Sequence, residues 1–392
     1  MPLPLYLLAL AVFAMGTSEF MLAGLLPDLA SDLGVPVATA GTLTSAFAAG
    51  MVVGAPLMAV LARHRSGRSS LFGFVLVFLL AHAAGAATSS FPVLFATRVV
   101  AALANAGFLA VAVTTAAALV APDQKGRALA VLLSGTTVAT IAGVPGGSVL
   151  GALLGWRATF WAVAALCLPA AVGVLTSVPA RPVEPDGSDG PTLRAEFAQL
   201  TSPRLLLVML VAALVNAATF AGFTFLAPVV TDTADLGELW VPVALVLFGA
   251  GSFAGVTVAG RLSDRHPGPL LAVGGPLLLI GWPALALSAD KPFALLALVF
   301  VQGAASFALG STLITRVLYE AAGAPTMAGA YATAALNLGA VTGPLVAATT
   351  LGTAAGNLGP LWTSGLLVAV ALLLVFPLRT VLTAGPSRGM PG

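Results

Sequence analysis

The stretch FAAGMVVG at residues 47–54 returns as FGAGSFAG at residues 248–255, so that Phe47, Gly50 and Gly54 are matched by Phe248, Gly251 and Gly255. The same shift of 201 residues aligns Pro27 with Pro228 and Gly67 with Gly268. Further along each copy a shift of 199 aligns Phe108 with Phe307 and Pro145 with Pro344, a slip of two residues within one duplication. Both copies lie in apolar runs. Of 392 residues 59% are hydrophobic and only 8% charged, and the mean hydropathy is +1.05. A globular surface cannot be built from that composition, so the solvent is lipid.

A helix rising about 1.5 Å per residue needs about 20 apolar residues to cross a hydrocarbon core of about 30 Å. Cut at charged, Pro-rich and Gly-rich breaks, the runs give helices near 4–27, 40–62, 70–88, 91–119, 128–154 and 158–178, then near 204–229, 239–262, 268–287, 291–318, 326–352 and 360–381. The stretch between holds Arg181, Glu184, Asp186, Asp189, Arg194 and Glu196 among prolines and reads as a connector. The expected organisation is a six-helix bundle at 1–178, a linker at 179–203, a second six-helix bundle at 204–381 and a tail at 382–392. The fold class is an all-α membrane protein of twelve transmembrane helices in two pseudo-symmetric halves. Parallel repeats of this kind suit transport, because rocking one half against the other exposes a central site to each side in turn. The opening run has neither a basic n-region nor a small-residue cleavage site and reads as a retained helix.

Orientation follows from charge. With the N-terminus inside, thirteen of the 16 basic residues fall on the cytoplasmic side: Arg63, Arg65, Arg68, Lys125, Arg127, Arg181, Arg194, Arg204, Arg261, Arg265, Arg316, Arg379 and Arg388. Only Arg157 and Lys291 fall outside, and Trp156, Trp161, Trp240, Trp282 and Trp362 gather near the outer helix ends. Both termini are then cytoplasmic, in a multi-pass protein of a bacterial inner membrane. The one cysteine, Cys167, excludes an internal disulfide and any cysteine metal cluster.

Glu19 and Arg98 are the acid and base inside apolar runs, where a charge costs at least about 2.5–3.5 kcal/mol. Counted from the outer ends of their helices they lie at matching depth, as does His82. Together they are candidates for proton coupling, with Glu19 as the acceptor, Arg98 as its modulator and His82 as a further titratable group. A fixed structural ion pair or a buried structural histidine accounts for the same residues without chemistry. Asn105, Asn216, Gln302 and Asn337 fall near the middle of helices in both halves, either to tie helices together or to hydrogen-bond a neutral ligand. Phe20 and Phe108, with Phe220, Phe223 and Phe225, offer apolar walls. Gly143, Gly147, Gly151 and Gly155, interleaved with Pro145 and Gly146, make a smooth face suited to close helix packing, expected here at the interface of the halves. No phosphate-binding GxxxxGK loop, HExxH site or closed GxSxG is present, so ATP-driven transport and common hydrolase chemistry have no support, and no cofactor beyond a proton gradient is expected.

The segment GRLSDRHPG at 260–268 resembles the GxxxDRxGR signature of the major facilitator superfamily, through Gly260, Asp264 and Arg265. The matching first-half stretch LARHRSGRSSL has Arg63 where the repeat places Asp264, a departure from the family pattern. RVVAALANAG from Arg98 resembles the fourth-helix arginine motif, and AGVPGGSVLG from Ala142 the fifth-helix motif of drug:proton antiporters. FAMGTSEFMLAGLLPDLASDLGV from Phe13 and GWRATFW from Gly155 look closest to the twelve-helix branch, and within it to chloramphenicol resistance exporters of high-GC bacteria. That resemblance implies a non-enzymatic, proton-driven exporter of a small drug, most plausibly chloramphenicol. The expected partners are the drug, protons and lipid, without nucleic acid, and the protein is expected to act as a monomer. The alternatives are export of sugars or nucleosides and, from another class, a membrane sensor that moves nothing.

Overall fold

Proline marks several helix starts, because a helix's first turn leaves its N–H groups unsatisfied in any case and the ring presets φ. Pro92, Pro203 and Pro292 accordingly stand at the openings of their helices. The computed structural model describes residues 2–61, 67–121, 124–178, 193–262, 267–324 and 327–375. The first half is built from α1 (Leu3–Phe20), α2 (Val37–Leu61), α3 (Gly67–Ala87), α4 (Phe91–Ala118), α5 and α6 (Trp156–Ser177). Helix α5 comes in three parts, Lys125–Val138, a π-helical turn Ala139–Gly143, and Val144–Leu154. The second half comprises α7 (Pro203–Thr224), α8 (Trp240–Leu262), α9 (Pro267–Leu287), α10 (Pro292–Glu320), α11 (Ala328–Ala348) and α12 (Gly359–Val375). Among the described residues eleven stretches are long and apolar enough to cross a membrane, while α9 qualifies as a shorter apolar helix over Ala272–Leu287. All twelve expected helices are present.

The widened turn in α5 has a local cause. Pro145 has no N–H to give the carbonyl of Ile141 and its ring would strike that oxygen, so the helix loosens over the preceding turn. At the other end Gly155, with φ of 82°, supplies the left-handed residue on which the chain turns into α6.

The duplication read from the sequence is a duplication of helix contacts. A Cβ on Gly50 would lie 2.6 Å from the Cβ of Ala102, and one on Gly54 would lie 2.8 Å from that of Ala106, so α2 lies directly on α4. In the second half Gly251 and Gly255 bring α8 onto the backbone carbonyls of Phe300 and Ala304 in α10. Gly143 of α5 meets Thr17 of α1, and Gly343 of α11 meets Ala217 of α7. In the absence of a hydrophobic drive inside lipid, close backbone approach through small residues is what holds such helices together.

The face of α5 carrying Gly143, Gly147 and Gly151 is turned into its own half, toward Thr17, Thr159 and Leu25 respectively. The expectation that this face forms the interface between halves is therefore corrected. Contact with the second half comes from other residues of α5, Thr140 and Ile141, against which Gly249 of α8 is pressed, and Val144, which joins the second-half core. The other inter-half contacts lie toward the same end of the bundle, the end at which α1 finishes and α2 begins. There Ser45 of α2 donates a hydrogen bond of 2.8 Å to the Val341 carbonyl of α11. Phe20 stacks on Phe220 at 5.7 Å, and Gly41 abuts the ring of Phe225. The halves are thus joined at the end remote from the N-terminus.

The linker is partly described. Its last turn, Leu193–Ala198, is a short helix whose Glu196 is buried. The Glu196 carboxylate accepts the N–H of Met327 at 2.9 Å, at the start of α11, while the Tyr331 hydroxyl donates to the Glu196 carbonyl at 2.9 Å. An anion at a helix N-terminus is favoured by the unsatisfied N–H groups and the helix dipole. The end of the linker therefore already belongs physically to the second half. Asp264 and Arg265, linker residues 179–192 and the tail at 382–392 lie outside the described residues; Gly260 is in α8.

Candidate functional site

Helix α1 ends at Phe20, and its last turn carries the residues on which the site is built, Ser18 and Glu19. Arg98 of α4 reaches this turn and is itself only 1% exposed. One guanidinium nitrogen donates to the Ser18 hydroxyl at 2.7 Å and another to the Ser18 carbonyl at 2.8 Å. The cation thereby sits at the negative end of the α1 dipole. Its plane also lies over the ring of Phe47, 4.5 Å from the centroid. A charge-assisted hydrogen bond contributes about 1.5–3 kcal/mol and a desolvated cation–π contact about 2 kcal/mol, so these contacts are of the size needed to hold a buried arginine. Its Nε–H is left without a partner.

Ser18 bonds a second group. Its hydroxyl lies 2.6 Å from Nε2 of His82 in α3. The other ring nitrogen, Nδ1, is 2.8 Å from the Phe78 carbonyl, which can only accept. Nδ1 therefore carries the proton, and Nε2 of the neutral ring accepts from Ser18. Arg98, Ser18, His82 and Phe78 form a single directed chain of hydrogen bonds. The imidazole is further held between aromatic rings, Phe78 at 4.2 Å and Phe160 at 5.7 Å.

Sequence reasoning placed Glu19, Arg98 and His82 in one site, and the structure brings them together. It does not join Glu19 to Arg98 by an ion pair: the guanidinium is bound to Ser18 instead. Glu19 is not fully enclosed. Helices α2, α4, α5 and α6 surround α1 within its half, and the residue after Glu19, Phe20, lies against Phe220 of the second half. The residues that sequence reasoning missed here are Ser18, Phe78 and Phe160. A serine in an apolar helix and phenylalanines at core spacing carry no distinguishing signal.

Of the candidate ligand groups, Phe20 lies between the halves against Phe220 and Phe223. Phe20, Thr140, Phe223, Phe248, Ser252 and Phe307 close around a space of about 10 Å³, at most room for one water. In this conformation the aromatic cluster is collapsed. Asn216 is half-buried and donates 2.7 Å to the Leu336 carbonyl, tying α7 to α11. Asn337 donates 3.0 Å to Thr333 of its own helix, and Asn105 is buried with its carbonyl oxygen unpartnered. Gln302 is fully buried, touching Gly281 of α9 with neither amide atom bonded, and Phe108 is fully buried in the first-half core. These last two, expected at a ligand surface, are turned into helix packing.

Away from the membrane-spanning segments, Asp32 pairs with Arg157 and accepts the Trp156 indole N–H at 3.1 Å. The two hydrogen bonds hold the Asp32 carboxyl below its ordinary value, Arg157 contributing most. Arg157 also donates to the Thr88 carbonyl at 3.1 Å, so this knot joins the ends of α3 and α6 to the α1–α2 connection. Among the described residues no group of His, Cys, Asp and Glu has the arrangement of a metal site.

Two duplicated six-helix bundles, joined at one end and bearing a half-buried acid with a buried base and imidazole near the seam, define a polytopic membrane transporter. The chain belongs to the Major Facilitator Superfamily, whose model matches residues 8–289. It is 78% identical over 383 residues to the chloramphenicol resistance protein of Streptomyces lividans, covering 98% of each chain. It is 32% identical over 375 residues to the inner membrane transport protein YdhP of Escherichia coli K12, covering 95% of each. Among solved structures it is similar to a bacterial homolog of the human lysosomal transporter Spinster, in an inward-facing and unoccupied conformation, with a TM-score of 0.74 at 18% identity over 97% of this chain and 95% of that one. The last likeness shows the fold.

Proposed function

We propose that this protein is a proton-coupled exporter of chloramphenicol in a bacterial inner membrane, with Glu19 as the proton carrier. The observation that carries the reading is the 78% identity, over 98% of both chains, to a chloramphenicol resistance protein. The site is of the kind such a cycle requires. Glu19 is half-buried at the end of α1, next to Phe20 at the seam, and a buried cation is bound to the adjacent Ser18 without a carboxylate partner. A carboxyl so placed takes a proton when the halves part on one side and gives it up when they part on the other, and drug moves outward in exchange.

Chloramphenicol is neutral and aromatic, with hydroxyl and amide groups, so it calls for apolar walls and a few hydrogen-bonding side chains and no counter-ion. Phe20, Asn216, Asn337 and Asn105 are the proposed contacts, with Phe220 and Phe223 as further apolar walls. With both termini in the cytoplasm, the joined end of the bundle lies on the outer face, and the cycle is proposed to alternate between this arrangement and one joined on the cytoplasmic side. Gly260, Asp264 and Arg265 are proposed to govern the opposite, cytoplasmic closure, and the working unit is proposed to be a monomer.

The experiment is accumulation of labelled chloramphenicol in cells with and without the protein, before and after an uncoupler. The expected result is lowered accumulation that the uncoupler reverses. Equal accumulation with the protein confirmed in the membrane contradicts the assignment.

A further inference from the structure

Arg98 is a buried cation whose nearest bonded oxygens belong to a hydroxyl and a carbonyl of the residue next to Glu19 and not to Glu19 itself. Its Nε–H is unpartnered, so the guanidinium has a donor to spare. The hydroxyl that holds it is in turn fixed by His82, because a serine whose proton is committed to Nε2 presents its lone pairs to Arg98. His82 is fixed by the Phe78 carbonyl, and Phe47 supplies the ring beneath the cation.

We propose that Ser18, His82 and Phe47 form a carboxylate-free seat for the Arg98 guanidinium, in which Ser18 is the positioning residue that sets how readily Arg98 pairs with Glu19. This rests on the reading of Glu19 as the proton carrier. When Glu19 holds its proton it is neutral and Arg98 stays in the seat seen here. When the proton leaves, the carboxylate competes with Ser18 for the guanidinium, and the cation turns toward it. The balance between these two positions, not the presence of Arg98 alone, fixes how much acid is needed to reload Glu19. The titratable groups facing this point are Glu19, Arg98 and His82. The other side chains in contact with the seat are Phe47 from α2, Phe78 from α3 and Phe160 from α6, none of which titrates.

Removing the hydroxyl weakens the seat and favours the Arg98–Glu19 pair. Purified protein in liposomes, assayed for drug-linked proton movement as a function of pH, is the test. Ser18→Ala should shift the midpoint of the profile by about one pH unit toward acid, within the range that a neighbouring opposite charge commonly produces. Ser18→Thr, which keeps the hydroxyl, should restore it. An unchanged midpoint in Ser18→Ala, or a uniform loss of rate with no shift, overturns the proposal. Nitrogen NMR of His82 reads the seat independently of Glu19. The expected spectrum is a neutral Nδ1–H ring with a hydrogen-bonded Nε2, altered in Ser18→Ala. A ring identical in both proteins also overturns the seat. Glu19→Gln separates the two ideas. If it remains fully coupled the proton-carrier reading fails, while the His82 spectrum still reports whether the seat exists.

Discussion

Asp32 shows how one side chain's charge state can be followed. Its folded carboxyl titrates below the ordinary aspartate value of 3.8 because Arg157 and Trp156 stabilise the anion. A depressed acid contributes stability that is fully present above the unfolded value and is lost as pH falls through the folded one. Both side chains are partly exposed, so the contribution is under about 1 kcal/mol. Thermal denaturation of the detergent-solubilised protein should therefore show Asp32→Asn slightly less stable than the parent at neutral pH, with the difference lost as pH falls through the folded value. A difference that persists in acid would assign the effect to lost packing. Which titratable residues gather at the candidate site was legible in the sequence, because a glutamate, a histidine and an arginine in apolar helices need partners that lipid does not supply. How they are connected was not. The link between Arg98 and His82 is a serine, and nothing in composition or spacing distinguishes Ser18 from a helix serine bonded to its own backbone.

At the scale of elements, the small residues divide into two kinds. Gly50, Gly54, Gly251 and Gly255 hold helices together within a half, whereas Gly249 lies on the seam, where an added side chain would meet the Thr140 carbonyl of α5. Gly249→Leu should keep α8 off α5 and disfavour the joined state. Overpacking costs about 1–3 kcal/mol, enough to shift the balance about tenfold. Distance measurements between spin labels on the α1–α2 and α7–α8 connections should report a wider separation, with transport reduced to a similar extent. An unaltered distance distribution would show that this contact does not set closure. Helix number and most boundaries were legible, since apolar length and prolines at Pro92, Pro203 and Pro292 dictate them. The π turn at Ala139–Gly143 and the inward direction of the Gly143, Gly147 and Gly151 face were not, because four-residue spacing places residues on one side of a helix without saying which neighbour that side meets.

For the whole molecule, the repeat 47–54 against 248–255 anticipated the two halves and their common internal packing. It could not anticipate where they touch, because that depends on the free-energy difference between two arrangements of the same contacts. It is this asymmetry that makes the joined end testable. Ser45 and Val341 meet across the seam at 2.8 Å, and the one native cysteine, Cys167, is buried. The pair Ser45→Cys and Val341→Cys should cross-link under mild oxidation and stop transport, and reductant should restore it. Failure to cross-link, or full transport by the cross-linked protein, would show that the end does not open during the cycle. The duplication has also diverged chemically: the first half gathers Glu19, His82 and Arg98 around one point, while the second buries Arg316 in α10 and Glu196 against the start of α11, with Trp282 and Gln302 between its helices. In the proposed cycle one half carries the proton, and the other supplies the surface against which it moves.

The measurement that tests this account most directly is uptake of labelled chloramphenicol into liposomes containing the purified protein, with an imposed pH gradient, for the parent and for Glu19→Gln. The account predicts accumulation against the drug gradient that collapses when the pH gradient is removed. It also predicts at least about tenfold less gradient-driven uptake in Glu19→Gln, with drug binding retained. Accumulation by the parent that ignores the pH gradient, or gradient-driven accumulation that survives Glu19→Gln undiminished, would contradict it.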